Sequence, residues 1–185
     1  MFLIVGLGNP GREYRNTRHN VGFKVIEELA GRLNIAAFKE KHRSLIAEAP
    51  FGQHKVILAM PQTFMNNSGA AVRGIMEWHK VVPKHLMVIY DDVDLEVGQL
   101  RVRLGGGSSG HKGVESIIES IKTPEFGRIR IGIGRDSLSG DISDYVLSTI
   151  PSSEQDPINA AILKAAEAVE AIISSGLEEA MNRFN

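Results

Sequence analysis

Residues 2–11 read Phe2-Leu3-Ile4-Val5-Gly6-Leu7-Gly8-Asn9-Pro10-Gly11, a short apolar run that passes directly into glycine, asparagine and proline. An apolar run of this length that ends in glycine predicts a buried β-strand. Residues 6–18 are rich in Gly, Pro and Asn and predict a loop. Asn20 is placed to cap a helix over residues 21–33, where apolar side chains recur at helical spacing. The first unit is therefore a strand, a loop and a helix.

The same alternation continues along the chain. Helices are expected after residue 69, at 114–121, from Ser152 to Gly176 with Gln155 placed for a capping box, and at 177–184. Strands are expected at 44–49, 55–60, 86–90, 99–104 and 128–134, and the first two of these are joined by a hairpin through residues 50–53. Interleaved strands and helices predict the α/β class, and the hairpin makes the sheet mixed. We expect one domain, residues 1–185, with a mixed sheet flanked by helices.

Composition excludes several classes of site. The 185 residues include no cysteine, which rules out disulfides, zinc–thiolate centres, iron–sulfur clusters and cysteine nucleophiles. The formal net charge of −1 gives no overall attraction to nucleic acid, so RNA binding requires a local basic surface. No apolar run approaches the roughly 18 residues of a membrane span, and the first apolar run is too short for a signal peptide. We expect a cytoplasmic protein that does not enter the membrane.

Polar side chains follow three of the predicted strands. Asn9 follows the first strand, Asn66 follows the strand that ends at Met60, and Asp91 ends the strand that starts at Leu86. Ligands of open α/β sheets bind at the carboxyl ends of strands, so these side chains are expected to be neighbours, with His19 at the rim. In a chain without cysteine, the simplest hydrolytic pair is a histidine and a carboxylate. His19 would take a proton from water, and Asp91 would fix its tautomer and stabilise the imidazolium.

Each of these residues also has an ordinary structural explanation. A histidine can be a packing residue, an aspartate can form a turn, and an asparagine can cap a helix. Residues 6–11 fit the G-x-G-x-x-G pattern of dinucleotide-binding proteins, but Pro10 removes a backbone donor and no helix begins at the third glycine. The second glycine loop, residues 105–110, precedes a helix and is either a phosphate site or a mobile loop.

Basic residues recur with the period of a strand. Arg101 and Arg103 share one strand face, and Arg128 and Arg130 share another. If these strands pair, four guanidiniums lie on one surface beside Lys112, and such a surface would suit phosphate contacts. The alternative is a solvated sheet face.

Taken in order, the motifs resemble the bacterial peptidyl-tRNA hydrolases over nearly the whole chain. The resemblance is carried by Gly8-Asn9-Pro10-Gly11, Thr17-Arg18-His19-Asn20, Thr63-Phe64-Met65-Asn66, Asp91-Asp92-Val93-Asp94, Gly110-His111-Lys112-Gly113 and Arg128-Ile129-Arg130-Ile131-Gly132-Ile133-Gly134. Together these blocks are far more specific than any single glycine pattern.

The resemblance implies a monomeric, single-domain hydrolase that needs no metal or cofactor and releases peptides from peptidyl-tRNA. It implies His19 as base, Asp91 as its orienting partner, and Asn9 as the residue that holds the peptide and discriminates against free aminoacyl-tRNA. It further implies roles for the following residues in binding the substrate and the tRNA phosphates: Tyr14, Phe64, Met65, Asn66, Arg101 and Arg130.

Lys112 departs from the family pattern, which commonly has asparagine there. Lysine cannot accept a hydrogen bond, so Lys112 would instead meet a phosphate or the oxyanion. The family also often uses lysine where Arg101 stands. A rival interpretation is an RNA-binding accessory protein, since plant organelles contain splicing factors that resemble this family and a shared fold does not guarantee turnover.

Overall fold

A computed structural model describes residues 1–135 and 140–185. Its strands are β1 (Phe2–Gly6), β2 (Lys39–Lys41), β3 (Ser44–Phe51), β4 (His54–Pro61), β5 (Leu86–Asp92), β6 (Leu100–Leu104) and β7 (Gly127–Gly132). Its α-helices are α1 (Val21–Arg32), α2 (Ser68–His79), α3 (Lys112–Ile121), α4 (Ile142–Val146), α5 (Ser152–Ser175) and α6 (Leu177–Phe184). None of the described helices is both long enough and apolar enough to cross a bilayer.

The strands form one mixed sheet in the order β2-β3-β4-β1-β5-β7-β6. The four central strands, β4, β1, β5 and β7, run parallel, while β3 and β6 are antiparallel to their inner neighbours. The predicted α/β class and the predicted mixed sheet are therefore confirmed. Because the central strands are parallel, their carboxyl ends meet at one edge of the sheet.

Helices cover both faces of the sheet, and so the central strands are apolar on both sides. Ile4 of β1 faces the core under α1, α5 and α6, whereas Leu3 and Val5 face the core under α2 and α3. All three side chains are fully buried. This two-sided burial explains why β1 is a continuous apolar run rather than an alternating one.

Two glycines let α1 lie directly on the ends of β1 and β5. A Cβ on Gly6 would come within 2.1 Å of the Gly22 carbonyl oxygen. A Cβ on Gly22 would come within 2.4 Å of the Leu7 nitrogen and 2.5 Å of the Ile89 oxygen. Only glycine permits this approach, and it brings the turn just before α1 to the carboxyl end of β5.

Some local predictions were wrong in detail. Asn20 stands at the N-cap position of α1 but makes no capping hydrogen bond, because its side chain is used elsewhere. Pro151, not Ser152, is the N-cap residue of α5, and the expected capping box with Gln155 does not form. The short elements β2 and α4 were not expected, since neither has an apolar periodic pattern.

Candidate active site

The central strands end at a cleft of about 590 Å³. Residues of the loop after β1, the loop after β4 and the end of β5 all line it, as the prediction of neighbouring strand ends required. Eight of the ten residues proposed from the sequence line the cleft: Asn9, Tyr14, His19, Phe64, Met65, Asn66, Asp91 and Lys112. Arg101 and Arg130 are not among the lining residues.

His19 and Asp91 are in direct contact at the base of the cleft. The Nδ1 atom of His19 lies 2.7 Å from Oδ1 of Asp91. Both residues are buried, with exposed fractions of 9% and 3%. An ionised carboxylate can only accept, so Nδ1 carries the proton and donates it. Nε2 of His19 is then left with the lone pair that a general base needs.

His111 is a second partner of Asp91 that sequence reasoning missed. Its Nε2 lies 3.1 Å from the same Oδ1 atom. Its Nδ1 accepts from the backbone N–H groups of Gly113 and Val114, so His111 is the N-cap residue of α3. An accepting Nδ1 carries no proton, and Nε2 therefore donates to Asp91. Histidine is not among the preferred N-cap residues, which explains why the pattern before α3 gave no signal.

The environment of Asp91 favours its charged form. Burial of the carboxyl opposes ionisation, but the positive character and the hydrogen bonds of the two histidine rings outweigh it. The pKa of Asp91 is consequently held well below its ordinary value of 3.8. Asp91 is an anion at neutral pH, able to orient His19 and to stabilise positive charge on the ring.

These three side chains are also the kind that bind metal ions. One ligand atom from each of His19, Asp91 and His111 lies within 4.8 Å of the others. In this arrangement the imidazole nitrogens aimed at Asp91 carry protons, and the other nitrogen of His111 is taken by backbone donors. A metal ion would have to displace both protons and break the cap of α3, so the contacts describe a hydrogen-bonded chain rather than a metal centre.

Asn9 is held by Asn20 in a reciprocal pair. The Asn20 side chain accepts from the backbone N–H of Asn9 at 2.9 Å and donates to its carbonyl oxygen at 2.9 Å. Oδ1 of Asn9 in turn accepts from the backbone N–H of Met65 at 2.8 Å. The loops after β1 and β4 are thus joined through Asn9. In the part of the chain that the structure describes, no acceptor holds its Nδ2 group, and Asn9 lines the cleft.

The rim of the cleft combines exposed and polar side chains. Phe64 is 62% exposed, and Asn66 and Lys112 are also exposed. Lys112 is the first residue of α3. Hydrogen bonds from Ser143 lower the pKa of Asp141, and the positive charge of Lys112 lowers it further. Asp141 and residues of helix α4 also line the cleft, which the sequence did not predict.

The arginines of β6 and β7 are only partly as expected. The two strands do pair, with Arg101 opposite Arg130 and Arg103 opposite Arg128. Arg128, however, is fully buried and donates to the carbonyl oxygens of Gly106, Gly107 and Pro124. The prediction of four guanidiniums on one open surface was therefore wrong for Arg128, because this side chain supports the glycine loop.

Arg130 and Arg101 are each held by a neighbour. Nε of Arg130 lies 2.5 Å from Oδ2 of Asp92, which lines the cleft beside Asp91. Arg101 donates to the backbone oxygen of Asn185 at 2.7 Å. Arg130 thus connects the arginine-bearing strands to the cleft, although it does not line it.

The glycine loop of residues 105–110 does not present a free helix N-terminus. His111 already occupies the backbone N–H groups of Gly113 and Val114, and Arg128 holds the carbonyls of Gly106 and Gly107. These contacts anchor the glycine loop at both of its ends.

Comparison with known proteins agrees with this geometry. The chain matches the peptidyl-tRNA hydrolase family over residues 3–185. It is 49% identical to a peptidyl-tRNA hydrolase of Alkaliphilus metalliredigens and 48% identical to one of a Thermoanaerobacter species, each alignment covering 100% of both chains. A crystal structure of peptidyl-tRNA hydrolase from Acinetobacter baumannii superposes with a TM-score of 0.94 at 36% identity, over 100% of this chain and 94% of that one. The chain belongs to the peptidyl-tRNA hydrolase family.

Proposed function

We propose that this protein hydrolyses the ester bond between a peptide and the 3′ end of tRNA, with His19 as the general base. Family membership gives the reaction. The observation that supports the base is the 2.7 Å contact between Nδ1 of His19 and Asp91, which leaves Nε2 unprotonated in a residue that lines the cleft.

The reaction needs one proton acceptor that later becomes a donor. Nε2 of His19 takes a proton from water while the water oxygen attacks the ester carbonyl carbon. When the tetrahedral intermediate collapses, the bond to the ribose oxygen breaks, and the imidazolium returns the proton to that oxygen. General-base assistance of this kind contributes roughly 10²- to 10⁴-fold.

Asp91 and His111 keep the base in position. Asp91 fixes the tautomer of His19 and stabilises the imidazolium. His111 donates to the same oxygen from the N-terminus of α3, so the carboxylate is held between two histidine rings. His111 is thus a positioning residue that acts through Asp91.

The developing negative charge on the ester oxygen needs a donor. Asn66 and Lys112 are exposed side chains of the cleft, and we assign them this role together with contacts to the tRNA end. A single well-placed donor contributes about 10²- to 10³-fold. Lysine meets this need as a point charge, where an asparagine would use its amide.

Discrimination between peptidyl and free aminoacyl substrates follows from Asn9. Its Nδ2 group can donate to a peptide carbonyl, while its Oδ1 is engaged by Met65. A charged amine in that place would lose hydration without a matching acceptor. Tyr14, Phe64 and Met65 give the cleft the apolar surface on which peptide side chains of many kinds can rest.

The tRNA body is assigned to the edge of the sheet that carries Arg101 and Arg130. The two residues lie opposite each other on neighbouring strands, and Arg130 reaches the cleft through Asp92. Guanidinium groups suit phosphate oxygens because they donate two parallel hydrogen bonds. We also propose that the enzyme works without metal or cofactor, since each step above uses only side chains and water. A cytoplasmic, monomeric state is proposed from the family resemblance alone.

A release assay tests the proposal. Purified protein is incubated with a blocked aminoacyl-tRNA, and free tRNA is measured for wild type and for His19→Ala. Release by wild type and none by His19→Ala is expected. Tight RNA binding with no release would instead support the RNA-binding accessory protein, and binding of NAD would revive the dinucleotide interpretation.

A further inference from the structure

The side chain of Arg18, next to the proposed base, is buried in a set of contacts outside the cleft. Only 3% of Arg18 is exposed. Its guanidinium donates to Oγ of Ser148 at 2.9 Å, to the carbonyl oxygen of Thr149 at 3.0 Å and to Oε2 of Glu154 at 2.7 Å. It also lies over the ring of Tyr145, with its central carbon 4.4 Å from the ring centre.

The backbone makes the same connection. The N–H of Arg18 donates to the carbonyl of Ser148 at 3.1 Å, and that of Ile150 donates to the carbonyl of Asn16 at 3.1 Å. Thr17 and Thr149 form an antiparallel bridge between these bonds. Residues 16–18 and 148–150 are therefore paired immediately before His19. The second of these segments follows α4, which forms one wall of the cleft.

We propose that Arg18 is a positioning residue for His19, and that its ion pair with Glu154 sets the base and the α4 wall relative to each other. The proposal rests on His19 being the base, as argued above. His19 sits in the middle of a one-turn 3₁₀ segment, Arg18–Asn20, whose first residue is fixed through its own side chain. A rotation of this turn would move the imidazole relative to Asp91.

A purely stabilising role does not explain the arrangement well. Within the described residues, Nε of Arg18 is buried and has no partner. Leaving a charged donor unpaired opposes folding, and a buried ion pair is often no more stabilising than apolar packing of the same volume. The contacts fit a positioning role better, because three hydrogen bonds and one aromatic ring fix the orientation of the planar guanidinium of Arg18.

The test uses three variants and a matched control. Arg18→Lys keeps the charge but loses the forked geometry, Arg18→Ala removes both, and Glu154→Gln removes the partner's charge. The control is Arg32→Ala. Arg32 is likewise an arginine that contacts α5, through Glu170, but it does not line the cleft. Each variant is assayed for kcat and KM on a blocked aminoacyl-tRNA, and its folding is checked by thermal denaturation.

We expect kcat to fall about 10- to 100-fold in Arg18→Ala and by a smaller factor in Arg18→Lys and Glu154→Gln. The KM should stay nearly unchanged in all three variants, because a small displacement of the base slows the reaction without weakening substrate binding. Added guanidinium ion should restore part of the kcat of Arg18→Ala. The downfield proton resonance expected of an imidazole N–H donated to a carboxylate should weaken in the same variants. Arg32→Ala should keep the wild-type kcat.

The outcomes are decisive. If Arg18→Ala does not fold, Arg18→Lys and Glu154→Gln decide, because both retain the buried volume. Folded variants with the wild-type kcat, or with a change confined to KM, overturn the proposal. If wild type releases no tRNA, the proposed function fails and this inference with it. If wild type is active, His19→Ala is inactive and Arg18→Lys is normal, only the role of Arg18 is refuted.

Discussion

Replacement of Asp91 by asparagine separates charge from geometry in the proposed catalytic pair. Both histidines donate to the same atom, Oδ1, at 2.7 and 3.1 Å. An asparagine that presents its carbonyl oxygen there keeps both hydrogen bonds. The change in Asp91→Asn is therefore the loss of a buried negative charge, with little change in the position of either ring.

The magnitude follows from the contact distance. At 2.7 Å and an effective dielectric constant of about 20, a full positive charge on the ring of His19 would be stabilised by roughly 6 kcal/mol. The carboxylate charge is shared by two oxygens and the proton is only partly transferred in the transition state, so about 3 kcal/mol is a reasonable share. Since about 1.4 kcal/mol corresponds to a tenfold change in rate, kcat should fall by roughly 10²-fold.

The assay is the initial rate of tRNA release at saturating blocked aminoacyl-tRNA. His19→Ala defines the rate without the general base. Glu48→Gln is the control for loss of a carboxylate, because Glu48 forms an ion pair with Lys55 on the neighbouring strand and is not among the residues that line the cleft. A turnover of Asp91→Asn equal to that of wild type would refute the reasoning.

The same variant should change how stability depends on pH. The pKa of Asp91 is lower in the folded state than the ordinary value of 3.8, so its contribution to stability is complete above that value and is lost as the pH falls below it. The free energy of unfolding of wild type should therefore drop relative to that of Asp91→Asn as acid is added. Urea denaturation at a series of pH values from neutral to acid measures the difference, and parallel curves would contradict it.

Three further changes test the parts around the base. Asn9→Asp keeps the acceptor for the Met65 N–H but cannot donate a hydrogen bond to the peptide. The kcat/KM for blocked aminoacyl-tRNA should therefore fall about 10- to 100-fold, and the kcat/KM for free aminoacyl-tRNA should fall less. An unchanged ratio of the two values argues against this role. Asn20→Ala leaves the backbone N–H and carbonyl groups of Asn9 unpaired. The free energy of unfolding, measured by urea denaturation, should fall by about 2–4 kcal/mol. A loss below about 1 kcal/mol would mean that water replaces the side chain. Arg101→Ala should weaken tRNA binding and reduce the slope of log affinity against log salt by about 1, and an unaltered slope would place the tRNA elsewhere.

The sequence predicts the centre of the site because strand ends are readable. The apolar runs before Asn9 and Asp91 mark parallel strands. The residues between Gly11 and Arg18 form one turn of 3₁₀ helix, Arg12–Tyr14, and not the α-helix that follows the third glycine of a dinucleotide-binding loop. Parallel strands that end together bring their loops together. The contact of His19 with Asp91 follows from this rule and from the close approach of α1 at Gly22.

Contacts that depend on the tertiary path are not readable in the same way. His111 caps a helix with a ring nitrogen, which no propensity predicts, and Arg128 looks like a partner of Arg130 by strand period although a loop covers it. Helix α4 has only five residues, too few for a periodic pattern. For Arg128, the alternation of side chains along β7 gives the correct face of the sheet but not the loop that covers that face.

Because Asp91 is buried, its charged form needs hydrogen-bond donors that are held in place. A carboxylate with 3% exposure is costly to ionise, and its two hydrogen bonds come from rings that must themselves be held. His111 is held by the helix that it caps, so it donates from a fixed tautomer. His19 lies in the 3₁₀ turn of residues 18–20, between the buried guanidinium of Arg18 and the close contact of Gly22 with β1 and β5. In the mechanism proposed above, the charge that strengthens the base therefore depends on how the two rings are held, at the N-terminus of α3 for His111 and in the turn of residues 18–20 for His19.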